Sequence, residues 1–443
     1  MQNITPVYIA LGSNLGDRAR TLARAVRELE RSGALCAAPA PRVSFLYRSA
    51  PMYVTEQPVF YNAVCCGYTS LHAEGLLQKL KGIEAALGRN KEGCVSAIRN
   101  GPREIDLDVL FYGSSPAAVY MSASLQIPHP RITERGFVLQ PLADVCSDHD
   151  ETSSGSALRA CAIPEQTIAA HVSELSQEAR ACRVVSCGAH HELVVGSALD
   201  PTPPPSYAMG ILNATPDSFS DGGQLKQSTV EWRARVDATA NMCDILDIGG
   251  QSTRPGADHV PESEELERVL PLITYVREKH PKMIISIDTF SAHVAERAVR
   301  AGANIINDVS GGTRDPDMLR TVAEMDVPTV LMHMRGDSHT MGSLTDYTPD
   351  GVVFGVIREL RLRIEAARAA GIMPWNILTD PGLGFAKKGE QNLQLLRELR
   401  KMKSTLGSFP MLVGASRKRF LGSILNRETI PSDRDWATAA TVR

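Results

Sequence analysis

The chain has 443 residues, enough for two or three domains that each bury a core of their own. Hydrophobic residues make up 43% and charged residues 22%, and 47 basic against 50 acidic side chains leave a formal net charge of −3. That balance excludes a general attraction to nucleic acid or to an anionic membrane, so any anion binding has to be built locally. The nine cysteines are odd in number, lack a Cys-x-x-Cys spacing and include the adjacent Cys65 and Cys66, which fits reduced thiols rather than a disulfide scaffold. No apolar run approaches the roughly 18 residues that a membrane helix needs. The first residues carry no basic, apolar or Arg/Ser-rich leader, so the cytoplasm is the expected compartment.

In chain order, Val7–Leu11 is a short apolar run that ends in Gly12-Ser13-Asn14. Arg18–Glu30 then places Leu22, Ala25, Val26 and Leu29 at helical spacing, a stripe that faces a core. Strand-like stretches follow at Val43–Tyr47 and Tyr61–Tyr68, then an amphipathic helix through Leu76, Leu77, Leu80, Ile83 and Leu87, then a strand at Ile105–Tyr112. Strand, helix, strand, strand, helix, strand predicts an α+β sandwich of ferredoxin-like type over residues 1–150.

Residues 151–205 read as a linker. It holds a Ser-, Asp- and Ala-rich surface stretch, a short helix near 164–180, and a hairpin-like pair at Arg183–Ser186 and Glu192–Val195. Pro201, Pro203, Pro204 and Pro205 stiffen its end. Cys182, Cys187, His190 and His191 lack the paired spacing of a zinc site, and a turn between two short strands is the preferred reading.

From 206 to 443 the pattern turns repetitive. Seven apolar runs recur, at Met209–Asn213, Ile245–Gly249, Ile284–Asp288, Ile305–Asp308, Thr329–His333, Ile377–Asp380 and Met411–Gly414, most of them followed by a helical stretch. Alternating strand and helix units imply a parallel sheet, and seven in succession favour an α/β (β/α)8 TIM barrel over a doubly wound sheet. An eighth strand and helix do not occur before Arg443, so the expected barrel lacks its last strand and helix.

The sharpest chemical signal is Gly101-Pro102-Arg103-Glu104-Ile105-Asp106-Leu107-Asp108. Alternate side chains of a strand share a face, so Asp106 and Asp108 point one way while Ile105 and Leu107 face the core. Two carboxylates on one face repel unless a cation sits between them, and hard oxygen donors suit Mg²⁺ and phosphoryl or pyrophosphoryl transfer; the alternative is a solvated strand face. Arg89 and Arg103 bracket a basic, Gly-containing loop that reads as a closing lid over phosphate. Neither a Walker A loop nor a Gly-x-Gly-x-x-Gly is present, which argues against the common nucleotide folds.

Tyr8-Ile9-Ala10-Leu11-Gly12-Ser13-Asn14-Leu15-Gly16, Gly101-Pro102-Arg103…Asp106-Leu107-Asp108 and Ile127-Pro128-His129-Pro130…Arg135-Gly136-Phe137 together resemble 6-hydroxymethyl-7,8-dihydropterin pyrophosphokinase, in that family's order. The resemblance implies that Asp106 and Asp108 hold Mg²⁺ on ATP, and that Arg89 and Arg103 stabilise charge as pyrophosphate moves to the pterin hydroxymethyl oxygen. It further implies that Ser49, Asn62 and Phe137 bind the pterin, with Phe137 stacked on it, and that His129 and Arg135 contact ATP. Core packing for Phe137 and a strand-end cap for Asn62 are the competing readings. Asn100 departs from the family, many members of which carry Trp before Gly-Pro-Arg.

In a barrel, strand-end residues share one mouth. Here they are Asn213, Thr253, Arg254, Asp288, Asn307, Asp308, His333, Asp380, Ser416, Arg417 and Lys418, a set suited to a flat heterocycle with N–H donors and carbonyl acceptors. Several of these would be simple loop caps in an arbitrary barrel. Met209–Gly223, Asp247–Gly256, Ser286–Thr289, Ile305–Asp308, Asp380–Phe385 and Gly414–Lys418 resemble dihydropteroate synthase. By that similarity Asp288, Asn307, Asp380 and Lys418 hold the pterin, and Asn213, with Mg²⁺, contacts the pyrophosphate. Thr253 and Arg254 close over it, and Phe385, Ser416 and Arg417 border the p-aminobenzoate pocket.

The expectation is a fused, Mg²⁺-dependent transferase of folate biosynthesis acting on ATP, hydroxymethyl-dihydropterin and p-aminobenzoate. Sulfonamides should act as inhibitors, nucleic acid and membrane should not be partners, and the barrel could mediate a homodimer. The synthase family's last strand carries an Arg-x-His pair that this sequence does not reach, so weak or absent synthase turnover is expected of it as written. Two rival readings stand beside this one. In the first, only the pyrophosphokinase half is active and the barrel is a pterin-binding or dimerisation module. The second is a pterin-dependent methyltransferase with a corrin-binding partner, against which Ser416-Arg417-Lys418 speaks.

Overall fold

The computed structural model describes residues 4–89, 100–113, 119–146, 165–177, 179–196, 204–214, 229–251, 259–424 and 429–441. The chain divides into two compact units, Met1–Pro205 with Met373–Trp375, and Ser206–Ile372 with Asn376–Arg443.

The first unit opens with β1 (Thr5–Ser13), α1 (Arg18–Arg31), β2 (Arg42–Val43), β3 (Leu46–Ser49), β4 (Phe60–Thr69), α2 (Ala73–Ala86) and β5 (Asp106–Tyr112). A small ribbon of β6 (Tyr120–Met121) and β7 (Gln126–Ile127) follows, then α3 (Gly136–Cys146), α4 (Glu165–Glu174), β8 (Cys182–Ser186) and β9 (Glu192–Val194). Helix α1 starts where the Asp17 carboxylate accepts the Arg20 N–H, and α2 where the His72 ring accepts the Gly75 N–H, so each fold-in point has its cap. Leu22, Ala25, Val26 and Leu29 of α1 and Leu76, Leu80 and Ile83 of α2 are buried on one face of the sheet with Val7, Ile9, Leu107 and Val109. The opposite face packs Tyr8, Val64 and Leu110 under Val138, Leu139 and Leu142 of α3 and Ile168 and Val172 of α4.

The sheet order is β5-β1-β4-β3-β8-β9, with β2 also on β4, and each pairing is antiparallel. Two expectations change here. The stretch Val43–Tyr47 is not one strand, because the Ser44 hydroxyl takes the Val64 N–H and Phe45 gives its N–H to Asp144 of α3. The hairpin expected inside a linker instead extends the sheet, β8 lying along β3 with Leu46 opposite Val184 and Arg48 opposite Cys182. Its turn is closed by the Cys187 N–H on the His191 carbonyl.

The second unit carries β10 (Met209–Asn213), α5 (Thr229–Ala240), β11 (Ile245–Gly249), α6 (Glu262–Lys279), β12 (Ile284–Asp288), α7 (Ala292–Ala301) and β13 (Ile305–Asp308). Helix α8 (Met318–Met325), β14 (Thr329–Met332), α9 (Gly351–Ala369) and β15 (Ile377–Asp380) follow. All six strands are parallel and lie in sequence order, with no reversal of the kind that defines a doubly wound sheet. Every residue of β11 is buried, as expected of a parallel strand covered on both faces. The run Met411–Gly414, expected as a seventh strand, pairs at one position only. Thr379 donates to Pro410 and accepts from Leu412. Among the described residues the sheet does not close on itself.

Candidate functional site

In the first unit the register builds a trough. Gly12 of β1 lies between Asn62 of β4 and Asp106 of β5, and Ala10 lies between Val64 and Asp108. Small residues on the central strand leave room between larger polar ones: a Cβ at Gly12 would stand 3.5 Å from Asn62 Oδ1. Asp106 and Asp108 are half-buried while Leu107 and Val109 point into the opposite core. Ser49, Asn62, Arg103, Asp106, Asp108, His129, Arg135 and Phe137 line one open cleft.

The two acids are not equivalent. Arg89 Nη1 is 2.5 Å from one Asp106 oxygen and Arg103 Nη1 is 2.7 Å from the other. Burial opposes the Asp106 charge, but Arg89 and Arg103 outweigh it and hold the carboxyl below its usual range. At Asp108 burial and then the neighbouring Asp106 charge push the carboxyl up. A divalent cation between them would relieve that repulsion, and Mg²⁺ needs only one or two carboxylates when phosphate oxygens complete its shell. Among the described residues no group of three or more acidic, His or Cys side chains could hold a metal by itself.

Arg135 places its guanidinium 5.4 Å from the Phe137 ring, and its Nε is buried without a partner, a free donor at the cleft wall. The Tyr53 hydroxyl is pulled down by its hydrogen bond to Arg135. His129 is kept below its ordinary value by burial, which outweighs the pull of Asp108. Asn62 gives its N–H groups to Ser49 Oγ at 3.0 Å and to the Tyr47 carbonyl at 3.3 Å. Residues 90–99 of the lid expectation lie outside the described residues.

Several residues here escape a reading of the sequence. Asn14 accepts the Arg103 N–H at 2.7 Å and donates to Gln57 and to the Pro58 carbonyl, both at 3.0 Å, so it ties the end of β1 to two cleft loops. Glu84 is buried on α2, accepts the Leu107 N–H at 2.8 Å and pairs with Lys81 and Arg89. The signal for it was present, since Glu84 occupies the apolar stripe of Leu76, Leu80, Ile83 and Leu87. Asn100 has φ 64°, a left-handed conformation that Asn tolerates better than an aromatic residue, and its carbonyl accepts from Gln57 at 3.0 Å.

In the second unit Asp288, Asn307 and Asp380 stand at the C-terminal ends of β12, β13 and β15. Asp288 pairs in register with Gly249 and Asn307, and a Cβ at Gly249 would stand only 3.2 Å from the Asp288 carboxylate. Asp288 Oδ1 and Asp247 Oδ1 are both buried without a partner. Asp247, missed as a site residue, accepts the Asn307 amide at 3.1 Å through its other oxygen. Burial, then Asp247, Glu265 and Asp308, drive the Asp288 carboxyl far up, with Lys418 opposing. Burial also raises Asp380, again against Lys418, and lowers the Lys418 ammonium, which Asp380 and Asp288 support. Lys418 Nζ donates to the Leu383 carbonyl and lies 4.7 Å from the Phe385 ring centre.

Beneath the loop after β15, Lys387 Nζ donates to the Gly382 carbonyl at 2.8 Å and the Phe385 carbonyl at 2.7 Å and contacts His333 Nδ1 at 2.9 Å. Glu359 is held ionised and can only accept, so His333 Nε2–H donates to it at 3.0 Å and the neutral ring turns Nδ1 to Lys387 as the acceptor. Burial and the Lys387 charge hold the His333 ring down to about 3. Asn213 is half-buried at the end of β10. Ser416 and Arg417 are exposed, and Arg417 forms a fork with Asp435 at 2.7 and 3.0 Å. Thr253 and Arg254 lie outside the described residues.

Comparison with known proteins bears on both sites. Residues 8–147 match the family described as 7,8-dihydro-6-hydroxymethylpterin-pyrophosphokinase, and residues 209–443 match the family described as pterin binding enzyme. The chain is 42% identical over 457 residues to the folic acid synthesis protein fol1 of Pneumocystis carinii, covering 98% of this chain and 56% of that one. It is 42% identical over 447 residues to the mitochondrial folate synthesis bifunctional protein of Arabidopsis thaliana, covering 98% and 77%. Its fold is shared with the solved HPPK-DHPS triple mutant of Plasmodium falciparum, at TM-score 0.67 and 20% identity over 99% of this chain and 90% of that one. The chain thus spans little more than half of one relative and about three quarters of another. With a family match over its second half and a relative of this identity and coverage, it belongs to the bifunctional folate-synthesis family that joins a hydroxymethyl-dihydropterin pyrophosphokinase to a pterin-binding enzyme.

Proposed function

We propose that the first unit transfers pyrophosphate from ATP to the hydroxymethyl oxygen of 6-hydroxymethyl-7,8-dihydropterin, and that the second condenses the product with p-aminobenzoate to give dihydropteroate. The observation that carries the reading is the meeting of Asp106, Asp108, Arg103, His129, Arg135, Asn62 and Phe137 around one cleft. The first unit is read as ferredoxin-like, because β5-β1-β4-β3 is the order of a split βαβ sandwich once β2 and β3 count as one interrupted strand. The second is read as a TIM-type barrel, its strands taken in sequence order.

In the first reaction the pterin hydroxymethyl oxygen bonds the β-phosphorus, the bond from that phosphorus to the oxygen bridging to the α-phosphate breaks, AMP leaves, and the hydroxyl proton is lost to solvent. Asp106 and Asp108 would hold Mg²⁺, which neutralises charge on the phosphates. Arg89 and Arg103, paired with Asp106, are in reach to share their forks with phosphate oxygens as charge shifts toward the leaving AMP. Asn62 offers its carbonyl oxygen to the pterin ring, and Phe137 a face for stacking.

In the second reaction the arylamine nitrogen bonds the pterin methylene, the C–O bond to pyrophosphate breaks, and the amine proton leaves to solvent. Ionised Asp288 and Asp380 would accept the N–H edge of an aminopyrimidine, and those donors would offset the burial that raises both carboxyls. Asn307 and Lys418 supply donors for the pterin carbonyl edge. Asn213, Thr253 and Arg254 would take the pyrophosphate, with Mg²⁺ at Asn213, and Phe385, Ser416 and Arg417 would border p-aminobenzoate. Sulfonamides would then compete at that border. Incubation of the chain with hydroxymethyl-dihydropterin, ATP, Mg²⁺ and p-aminobenzoate, with AMP and dihydropteroate measured separately, tests both halves. Formation of both supports the proposal, AMP alone restricts it to the first unit, and neither product refutes it.

A further inference from the structure

We propose that the β8–β9 hairpin is a working part of the first site, with Glu192 a positioning residue for Asn62 and Ser49; this rests on the pterin reading of that site. The hairpin spans 182–194 and lies outside both family matches, 8–147 and 209–443.

Asn62 has two N–H donors and one carbonyl acceptor. Both donors are taken by β3, through Ser49 Oγ and the Tyr47 carbonyl, so the carbonyl oxygen is left for the trough on the Gly12 side. The amide therefore presents an acceptor to ring N–H groups only while β3 stays in place.

Strand β3 has four residues and pairs with β4 at three of them. Such a strand at a sheet edge would fray, because few backbone bonds hold it. It is not at the edge, since β8 pairs along its other side. Glu192 reaches back from β9, one strand farther out, and bridges two side chains at once. One oxygen pairs with Arg48 of β3, and the other accepts the Tyr61 hydroxyl of β4 at 2.5 Å. Arg48 and Tyr61 are partners in the β3–β4 register, and each immediately precedes a cleft residue, Ser49 or Asn62. Arg18 covers the Tyr61 ring at 3.9 Å, which keeps that phenol directed at Glu192. A second grip comes from β8, where the buried Arg183 lies 3.2 Å over the Phe45 ring, just before β3. Asp144 of α3 holds the same segment by accepting the Phe45 N–H and the Tyr47 hydroxyl, both at 3.1 Å.

The test uses the full chain and follows AMP release while hydroxymethyl-dihydropterin and ATP are varied in turn. For Glu192→Ala the pterin KM should rise roughly fivefold to tenfold with the ATP KM inside about twofold, as expected for losing a two-pronged charge-assisted contact that orients one ligand group. Glu192→Gln keeps the volume and an acceptor for Tyr61, so it should fall between Glu192→Ala and wild type. His190→Ala, in the exposed turn of the same hairpin, should leave both KM values alone. An unmoved pterin KM in both Glu192 variants overturns the inference, and so does a fall in kcat with both KM values unchanged, the mark of a hairpin that only maintains folded protein. Wild-type chain that releases no AMP would remove the pterin reading itself, and this inference with it. A normal wild type with unresponsive variants would remove this inference alone.

Discussion

The two units treat buried acid in opposite ways. In the first, Asp106 is met by two arginines and stays charged, while Asp108 is left to repulsion that a cation can relieve. In the second, Asp247 and Asp288 on neighbouring strands each have an unpartnered oxygen, and Lys418 opposes the rise at Asp288. The first arrangement suits a ligand that arrives with metal and negative charge. The second suits a neutral ring that brings N–H donors into a dry place, where an unmet acceptor is costly. Carboxylates alone therefore do not identify a metal site; what lies opposite them does.

The largest effect that would break this contrast is at the first site. Asp106→Asn or Asp108→Asn should cut AMP release at least about a hundredfold, since charge stabilisation dominates phosphoryl-type transfer. Undiminished release in an initial-rate assay would remove the cation from the account. Next is Asp288→Asn, which puts an amide donor where a ring donor should arrive and should weaken pterin binding by the second unit roughly thirtyfold, readable by calorimetry. A smaller change tests geometry alone. Gly249→Ala brings a methyl within 3.2 Å of the Asp288 carboxylate and should weaken the same binding about fivefold, because a packed neighbour must shift.

The smallest effect concerns pH. His333 binds its proton at about 3 when folded against 6.5 as an ordinary side chain, so between those values the unfolded chain holds more protons. Its contribution is fully present above pH 6.5 and is lost as pH falls toward 3. His333→Gln should therefore flatten the acid limb of urea-unfolding stability by roughly 1 kcal/mol at pH 5.5. An unchanged slope would mean that the Lys387–His333–Glu359 chain does not hold the ring neutral.

Local rules made much of this legible. The period of Leu22, Ala25, Val26 and Leu29 identified α1, and alternation around Leu107 put Asp106 and Asp108 on one face, because both depend on neighbours in sequence. What stayed hidden depends on partners far away. The break at Ser44 comes from Val64 and Asp144, and the role of Asn14 from Gln57 and Arg103. The hairpin was visible as a hairpin, but nothing local says that Val184 should lie opposite Leu46. Arg417 was assigned to a pocket border by its motif, while its exposed fork to Asp435 lies outside that motif.

Mixing two crippled chains tests the separation of the sites most directly. Asp106→Asn and Asp288→Asn chains would each be given ATP, Mg²⁺, hydroxymethyl-dihydropterin and p-aminobenzoate, alone and together, and dihydropteroate measured. Where the unsubstituted chain forms dihydropteroate, the account predicts little product from either variant alone and recovery toward that level in the mixture, as activated pterin made by one chain is used by the other. A mixture as silent as its components, or an Asp106→Asn chain that makes product unaided, would contradict it.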